Sequence, residues 1–180
     1  MSWNITGAVV INVTNNGGLN SVAGGLFLDP ASTGAGGGGG GSTTATAAFV
    51  QTIQIGADGA LSPTSLGTLP SYATLNTTAN VYDWPSGQAT WYGYPSFSFD
   101  LNLTDGKTHK ITLYAIDFDT TSRAETITVA DAVSGAALAT QSISSFHSGV
   151  YLVFNVSGHV TITVTCTAGI NAVIAGVYFN

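Results

Sequence analysis

Charge is the scarcest property of this sequence. Only 7% of its 180 residues are Asp, Glu, Lys or Arg, and three basic residues stand against nine acidic ones, for a net charge of −6. About a quarter of the residues are charged in an ordinary globular domain. Without a basic surface the chain is a poor ligand for nucleic acid or for an anionic membrane. Because little charge repulsion keeps copies of the chain apart, the composition favours packing into arrays or filaments.

Cysteine and long apolar runs are almost missing as well. Cys166 is the single cysteine, which excludes an internal disulfide. No run approaches the roughly 20 apolar residues of a membrane helix, so membrane insertion is not expected. Residues 1–4 also lack the basic start and apolar stretch of a signal peptide. An exported form therefore requires that a leader was removed or that the protein leaves the cell by another route.

The two ends of the chain carry the same piece of sequence. Residues 1–29 align without a gap on residues 152–180. We therefore predict an N-terminal β-hairpin, with Asn15-Asn16-Gly17-Gly18 as its turn, that duplicates a C-terminal one. Ten aligned pairs are identical: Asn4/Asn155, Gly7/Gly158, Val9/Val160, Ile11/Ile162, Val13/Val164, Thr14/Thr165, Gly18/Gly169, Asn20/Asn171, Val22/Val173 and Gly25/Gly176.

An additional strand pair needs a partner for its apolar side. It could cover an open edge of its own sheet, or it could add to the sheet of a neighbouring copy. A second explanation is that the chain is cut from a long tandem array and begins with the last strands of the preceding module. The residues expected to make the assembly contact are Val9, Ile11, Val13, Val22, Leu26 and Phe27.

The composition divides the chain into three parts. Residues 1–30 hold the N-terminal strand pair, and residues 31–45 form a low-complexity stretch with six consecutive glycines, Gly36 to Gly41. Such a stretch is typical of a flexible linker. Residues 46–180 are long enough to form a domain with its own hydrophobic core.

The pattern of the third part predicts an all-β fold. Its apolar residues alternate with polar ones and are rich in Val, Ile, Thr, Tyr and Phe, and no helix is indicated. Short strands with frequent turns indicate an antiparallel β-sandwich or jelly roll. From Ser96 onward we expect a meander, with a hairpin-type turn at Asp105-Gly106. Its predicted strands are Ser96 to Leu103, Ile111 to Asp117, Glu125 to Asp131, Ala137 to Ile143, Val150 to Val156, His159 to Cys166 and Ala172 to Phe179.

Several stretches carry a family resemblance. They are FDLNLTDGKTHKITLYAIDFD (Phe99 to Asp119), Arg123-Ala124-Glu125, SSFHSGVYL (Ser144 to Leu152) and AGINAVIAGVYF (Ala168 to Phe179). This text resembles a β-sandwich module of about 150 residues that is repeated in large secreted multidomain bacterial proteins. The resemblance implies a carbohydrate-binding or adhesive domain without a catalytic site. It also implies a location outside the cell or on the surface of a cell or particle.

Four charged residues lie close together between Asp117 and Glu125. Asp117, Asp119, Arg123 and Glu125 allow three interpretations. Arg123 could neutralise Asp117 or Glu125 at a bend between two strands, which is a structural role. The same groups could hydrogen-bond the hydroxyls of a sugar. Asp117 and Asp119 could also bind Ca²⁺, which is the only candidate cofactor.

Aromatic residues outside the regular strands form a second candidate site. Flat rings stack on the C–H faces of sugars, so such a cluster suits a glycan. The same rings could instead cap the end of the sandwich or contact a neighbouring subunit. The residues are Tyr82, Trp84, Trp91, Tyr92 and Tyr94.

No arrangement of residues indicates catalysis. The three histidines share no metal-ligand spacing, and no serine lies in a nucleophile elbow. We therefore expect a non-enzymatic structural module that associates with itself through its sheet edges in a filament, surface layer or particle. The alternative is a carbohydrate-binding module that recognises a polysaccharide.

Overall fold

The computed structural model of the chain describes residues 44–50, 56–64 and 67–180. These residues form an all-β fold without any helix, as the alternating pattern predicts. The described part contains thirteen strands: β1 (Thr46–Val50), β2 (Gly59–Leu61), β3 (Ala73–Thr77), β4 (Asn80–Asp83), β5 (Ala89–Gly93), β6 (Ser96–Leu103), β7 (His109–Ala115), β8 (Ala124–Asp131), β9 (Ala137–Ser144), β10 (Val150–Ser157), β11 (His159–Ala168), β12 (Ala172–Ile174) and β13 (Gly176–Phe179).

The strands form three antiparallel sheets. Within the described residues, the first sheet has the order β1-β10-β7-β13-β2 and the second has the order β3-β6-β11-β8-β9. A smaller third sheet has the order β12-β5-β4. The architecture is that of an antiparallel β-sandwich, which confirms the predicted fold class.

Alternation along the strands builds the core between the two large sheets. In β6, Phe97, Phe99, Leu101 and Leu103 are buried while the intervening residues are partly exposed. Strands β7, β8, β10 and β11 contribute the same kind of inward row. Side chains that alternate in this way stabilise a sheet only when one face is covered, and here each large sheet covers the other.

The chain crosses between the large sheets more often than a meander would. Strand β6 lies in the second sheet, whereas β7 lies in the first, so the turn at Asp105-Gly106 does not close a hairpin. The prediction of a meander is therefore wrong for this part of the chain. Sequential pairing occurs at β4–β5 and at β8–β9, where residues 132–136 connect the two strands. Alternation shows which side chains are buried, but it does not show which sheet a strand joins.

The C-terminal segment also differs from the predicted hairpin. Strand β11 pairs with β6 and β8 in the second sheet, while β13 pairs with β7 and β2 in the first. The predicted strand Ala172 to Phe179 is divided at Ala175, and its first half, β12, pairs with β5 in the third sheet. Residues 172–179 thus join the third sheet to the first, and most of them are buried.

Some predictions concern residues outside the described part. The N-terminal assembly residues Val9, Ile11, Val13, Val22, Leu26 and Phe27 all lie there, as does the glycine run. At the border, Ala45 is buried, and its N–H donates to Asp131 Oδ2 at 3.3 Å. Nowhere in the described residues is there a helix with the length and apolar character needed to cross a bilayer.

Candidate functional site

A pocket of about 270 Å³ lies against one face of the third sheet. The register places Tyr82 opposite Thr90, and Tyr92 opposite Val173, so these four side chains share that face. The loop between β7 and β8 and the connection between β11 and β12 complete the walls. The lining residues are Tyr82, Trp84, Thr90, Tyr92, Asp119, Arg123, Ile170, Asn171 and Val173.

Aromatic rings form one side of the pocket. The ring of Tyr82 meets that of Trp84 edge-on at 4.6 Å between centroids, and Trp84 meets Phe118 edge-on at 5.5 Å. A tight turn fixes Trp84, because its N–H donates to the carbonyl of Gln88 while its own carbonyl accepts from the N–H of Gly87. Tyr82, Phe118 and Ile170 are among the most exposed large apolar residues of the described chain. Exposed apolar groups gathered around a pocket are typical of a binding site.

A buried arginine also lines the pocket. Arg123 is only 3% exposed, and its Nη1 donates to Asp117 Oδ1 at 2.5 Å and also to Asp119 Oδ1. Its Nε donates to Asn171 Oδ1 at 2.9 Å. Charge-assisted hydrogen bonds of this kind hold the guanidinium in one place. The structural interpretation expects Arg123 to pair with Asp117 or Glu125. The ion pair is made with Asp117, and Asp119 joins it as a second partner that the sequence did not indicate.

Two polar groups of this network have no hydrogen bond to a described residue. One is Nη2 of Arg123, a residue that lines the pocket. The side chain of Asp119 is 38% exposed, and only its Oδ1 is bonded to a described residue. The pocket therefore offers a donor and an acceptor beside its aromatic rings.

The loop that carries Asp117 is fixed from several directions. Asp117 Oδ1 accepts from Thr120 Oγ1 at 2.6 Å, and Oδ2 accepts from the backbone N–H of Arg123 at 3.0 Å. His147 Nδ1 contacts the carbonyls of Asp117 and Thr120 at 2.6 and 2.8 Å. Burial by itself raises the pKa of the Asp117 carboxyl, but the hydrogen bonds from Thr120 and Arg123 together lower it below its ordinary value. Asp117 is therefore an anion at neutral pH and the fixed counter-charge of Arg123.

Glu125 has a different environment from the two aspartates. It is fully buried, and its Oε2 accepts the N–H of Val173 at 2.8 Å. Its Oε1 is the one fully buried side-chain oxygen or nitrogen without a partner in the described residues. Burial raises the pKa of Glu125 to about 8, and the neighbouring Val173 N–H and Arg123 charge offset this only in part. At neutral pH the group is therefore mostly an uncharged acid.

The arrangement bears on the calcium prediction. Both oxygens of Asp117 and one oxygen of Asp119 are bonded to Thr120 or Arg123. In the described chain, no group of three or more His, Cys, Asp or Glu residues is placed to hold a metal ion. A hard cation needs six or more oxygen ligands, so Asp119 Oδ2 alone is not a site for one.

The structure brings together most of the predicted site residues. Tyr82, Trp84, Tyr92 and Arg123 line the pocket with Asp119, so members of the aromatic and the charged clusters meet at one site. Trp91 does not join them. It is 4% exposed and packs edge-on against Phe99 in the core, because neighbouring residues of a strand point to opposite faces and Tyr92 occupies the pocket side. Tyr94 is 74% exposed and lies outside the pocket lining.

Sequence reasoning misses the wall formed by the β11–β12 connection. Ile170, Asn171 and Val173 line the pocket, but none has a residue type or spacing that signals a site. An exposed Ile170 beside a polar Asn171 directly after a long strand is the one local hint. Phe118, which contacts Trp84, lies between the two predicted aspartates and could have been included with them.

Comparison of the chain with protein-family models, with curated proteins and with solved structures finds no match in any of the three.

Proposed function

We propose that the described domain is a glycan-recognition module, and that the pocket beside Trp84 and Arg123 binds one sugar ring. The observation that carries this proposal is the meeting of aromatic rings with fixed polar groups in one pocket. Sugars present C–H faces to aromatic rings and hydroxyls to donors and acceptors, so they need both kinds of surface at once. The expected setting is the outside of a cell or particle.

The size of the pocket supports a small ligand. Pockets for drug-sized molecules span about 300–1,000 Å³, and this one, at about 270 Å³, is slightly smaller. A single monosaccharide, such as the end of a chain or a side branch, suits this volume better than a long stretch of polysaccharide does. The ring of Trp84 supplies a stacking surface, while Asp119 and Arg123 supply the hydrogen-bonding groups.

A glycan array followed by titration tests the proposal. Trp84→Ala and Tyr92→Ala each remove a ring from the pocket lining, and we expect each to weaken binding by about tenfold or more, equivalent to about 1.4 kcal/mol. Tyr94→Ala is the matched control, because it removes an exposed ring outside the pocket. Absence of binding to every glycan, or equal binding by all four proteins, would refute the proposal.

Self-association through sheet edges is a second candidate function. Strands β3 and β9 bound the second sheet within the described residues, and neither contains Lys, Arg, Asp, Glu or Pro. Soluble proteins usually protect their edge strands with such residues, because unpaired edges can add a strand from another chain. The low overall charge and the duplicated segment 1–29 support the same function.

Size measurement and electron microscopy test this second candidate. If the chain forms filaments or oligomers, we expect removal of residues 1–29 to reduce them. Thr74→Lys on β3 and Thr140→Lys on β9 place a charge at exposed edge positions and should have a similar effect. A chain that is monomeric at every concentration, with and without these changes, would rule out self-association.

A further inference from the structure

The charge of the pocket points to the class of sugar that it admits. Arg123 is its only basic lining residue, and Asp119 is its acidic one. Asp117 lies behind them, 1% exposed and bonded to Arg123. Two carboxylates and one guanidinium leave a formal local charge of −1, and the remaining basic residues of the sequence, Lys107 and Lys110, do not line the pocket.

The bonding of Arg123 determines how this charge acts on a ligand. A free guanidinium binds a carboxylate through two parallel hydrogen bonds. Here Nη1 is shared by Asp117, Asp119 and the hydroxyl of Thr120, and Nε is used by Asn171. Only Nη2 remains, so Arg123 cannot offer the two parallel donors by which an arginine usually binds a carboxylate. It can still donate to the oxygen of an uncharged hydroxyl group.

Asp119 further disfavours an anionic ligand. Its second oxygen is without a partner among the described residues, and its side chain is 38% exposed. A carboxylate oxygen in this position accepts from a hydroxyl or an ammonium group and repels an anion. Tyr82, Trp84 and Tyr92 add aromatic rings to the lining, and the face of such a ring attracts a cation and not an anion.

We infer that the pocket selects neutral and amino sugars and rejects sugars that carry a carboxylate or sulfate, with Asp119 as the residue that determines this specificity. The inference rests on the proposed glycan-binding function and adds the ligand class to it. Asp119 contacts the ligand in this proposal, and Asp117 acts through Arg123 as a positioning residue.

Matched methyl glycosides provide the test. Glucose, glucosamine and glucuronic acid have the same ring but different charges, and the galactose and mannose series extend the comparison. NMR titration of the full chain should show that the uronic acid binds at least about tenfold more weakly than the neutral sugar in the series that binds. The amino sugar should bind at least as well as the neutral one. Added salt should reduce the difference in affinity between the neutral sugar and the uronic acid, because screening weakens the repulsion of the uronic acid.

Asp119→Asn isolates the charge. The amide keeps an oxygen for Arg123 but loses the negative charge, so the ratio of neutral-sugar to uronic-acid affinity should fall several-fold. Asp100→Asn is the matched control, since it removes the same charge at a residue that pairs with His159 outside the pocket. This control should keep the wild-type ratio.

The outcomes separate the two proposals. Equal or tighter binding of the uronic acid by the unmodified chain would overturn the inferred specificity and leave glycan binding intact. An unchanged ratio in Asp119→Asn would also overturn it, because the charge of Asp119 would then have no role. If no sugar of any charge binds, the glycan-binding function fails and the inferred specificity fails with it.

Discussion

Arg123 and Asn171 join two loops that are far apart in the sequence. The Nε of Arg123 donates to Asn171 Oδ1 at 2.9 Å and thereby connects the β7–β8 loop to the β11–β12 connection. Both residues line the pocket, so this hydrogen bond fixes the relative position of two of its walls. The arginine belongs to the fold and to the candidate binding site at the same time.

The first prediction concerns this hydrogen bond. Asn171→Ala removes the acceptor for a charged donor, and we expect the free energy of unfolding to fall by about 1.5–3 kcal/mol. Glycan affinity should also fall, because the pocket wall loses its attachment. Urea denaturation and glycan titration measure the two effects. Asn102→Ala is the control, since Asn102 is a partly exposed residue of β6 outside the pocket lining, and it should change stability by less than about 0.5 kcal/mol.

The second prediction concerns the buried ion pair. Arg123→Met leaves the Asp117 carboxylate, which is 1% exposed, without its counter-charge. Breaking a buried pair in this way usually costs about 3–5 kcal/mol, and urea denaturation at pH 7 should show a loss of that size. Adding Asp117→Asn to Arg123→Met removes the unpaired charge and should restore part of the stability. If the double variant is no more stable than Arg123→Met, the ion pair is not the reason for the loss.

The third prediction concerns the close approach of Gly169 to Arg123. Gly169 has a φ of +87°, and a Cβ added there would lie 3.0 Å from Arg123 Cγ and 3.1 Å from Arg123 Cα. Gly169→Ala should therefore displace the arginine as well as strain the backbone. Gly106 supplies a matched control, because its φ is +70° but nothing lies within 4 Å of an added Cβ.

Comparison of the two glycine variants separates crowding from backbone strain. Gly106→Ala should cost about 1–2 kcal/mol, the usual penalty for a left-handed residue with a side chain. Gly169→Ala should cost about 1–3 kcal/mol more, because it also overpacks its surroundings. Thermal or urea unfolding measures both, and equal losses would show that Arg123 can move aside without penalty.

Particular residues show what could be predicted from the sequence. The strand Ser96–Leu103 has the predicted bounds, because four large apolar residues alternate there without interruption. The assignment of β7, β11 and β13 to sheets could not be predicted, because it depends on pairings between distant segments. The same limit applies to the pocket. Tyr82 and Arg123 are recognisable as candidates, but the bond of Arg123 to Asn171, and the pocket that these two residues share with Tyr82, exist only after the chain has crossed between sheets.

The choice between Trp91 and Tyr92 illustrates this limit at a single strand. Both residues look suitable for stacking on a sugar, and alternation requires that they face opposite ways. Which of them faces the core depends on the register of β5 between β4 and β12. That register pairs Trp91 with Val81 and Ile174, and the ring of Trp91 lies against Phe99 in the core.

The fourth prediction concerns the pH dependence of stability. Burial raises the pKa of Glu125 to about 8 from an ordinary value of 4.5, so the folded chain retains a proton that the unfolded chain has lost between these two values. The contribution of Glu125 to stability is therefore complete below about pH 4.5 and is lost as the pH rises to about 8. Within that range it should decrease by about 1.4 kcal/mol per pH unit.

Glu125→Gln tests the prediction, because the amide keeps an acceptor for the N–H of Val173 but cannot ionise. Urea denaturation at pH 5, 6.5 and 8 should show a steep loss of stability for the unmodified chain and a shallower one for the variant. Asp117 does not affect this comparison, because its pKa is lowered and its contribution to stability is lost only as the pH falls below about 4. If the free energy of unfolding falls equally steeply with pH in both proteins, Glu125 is ionised in the folded chain. Its Oε1, which has no partner among the described residues, would then have to be reached by water or by a ligand.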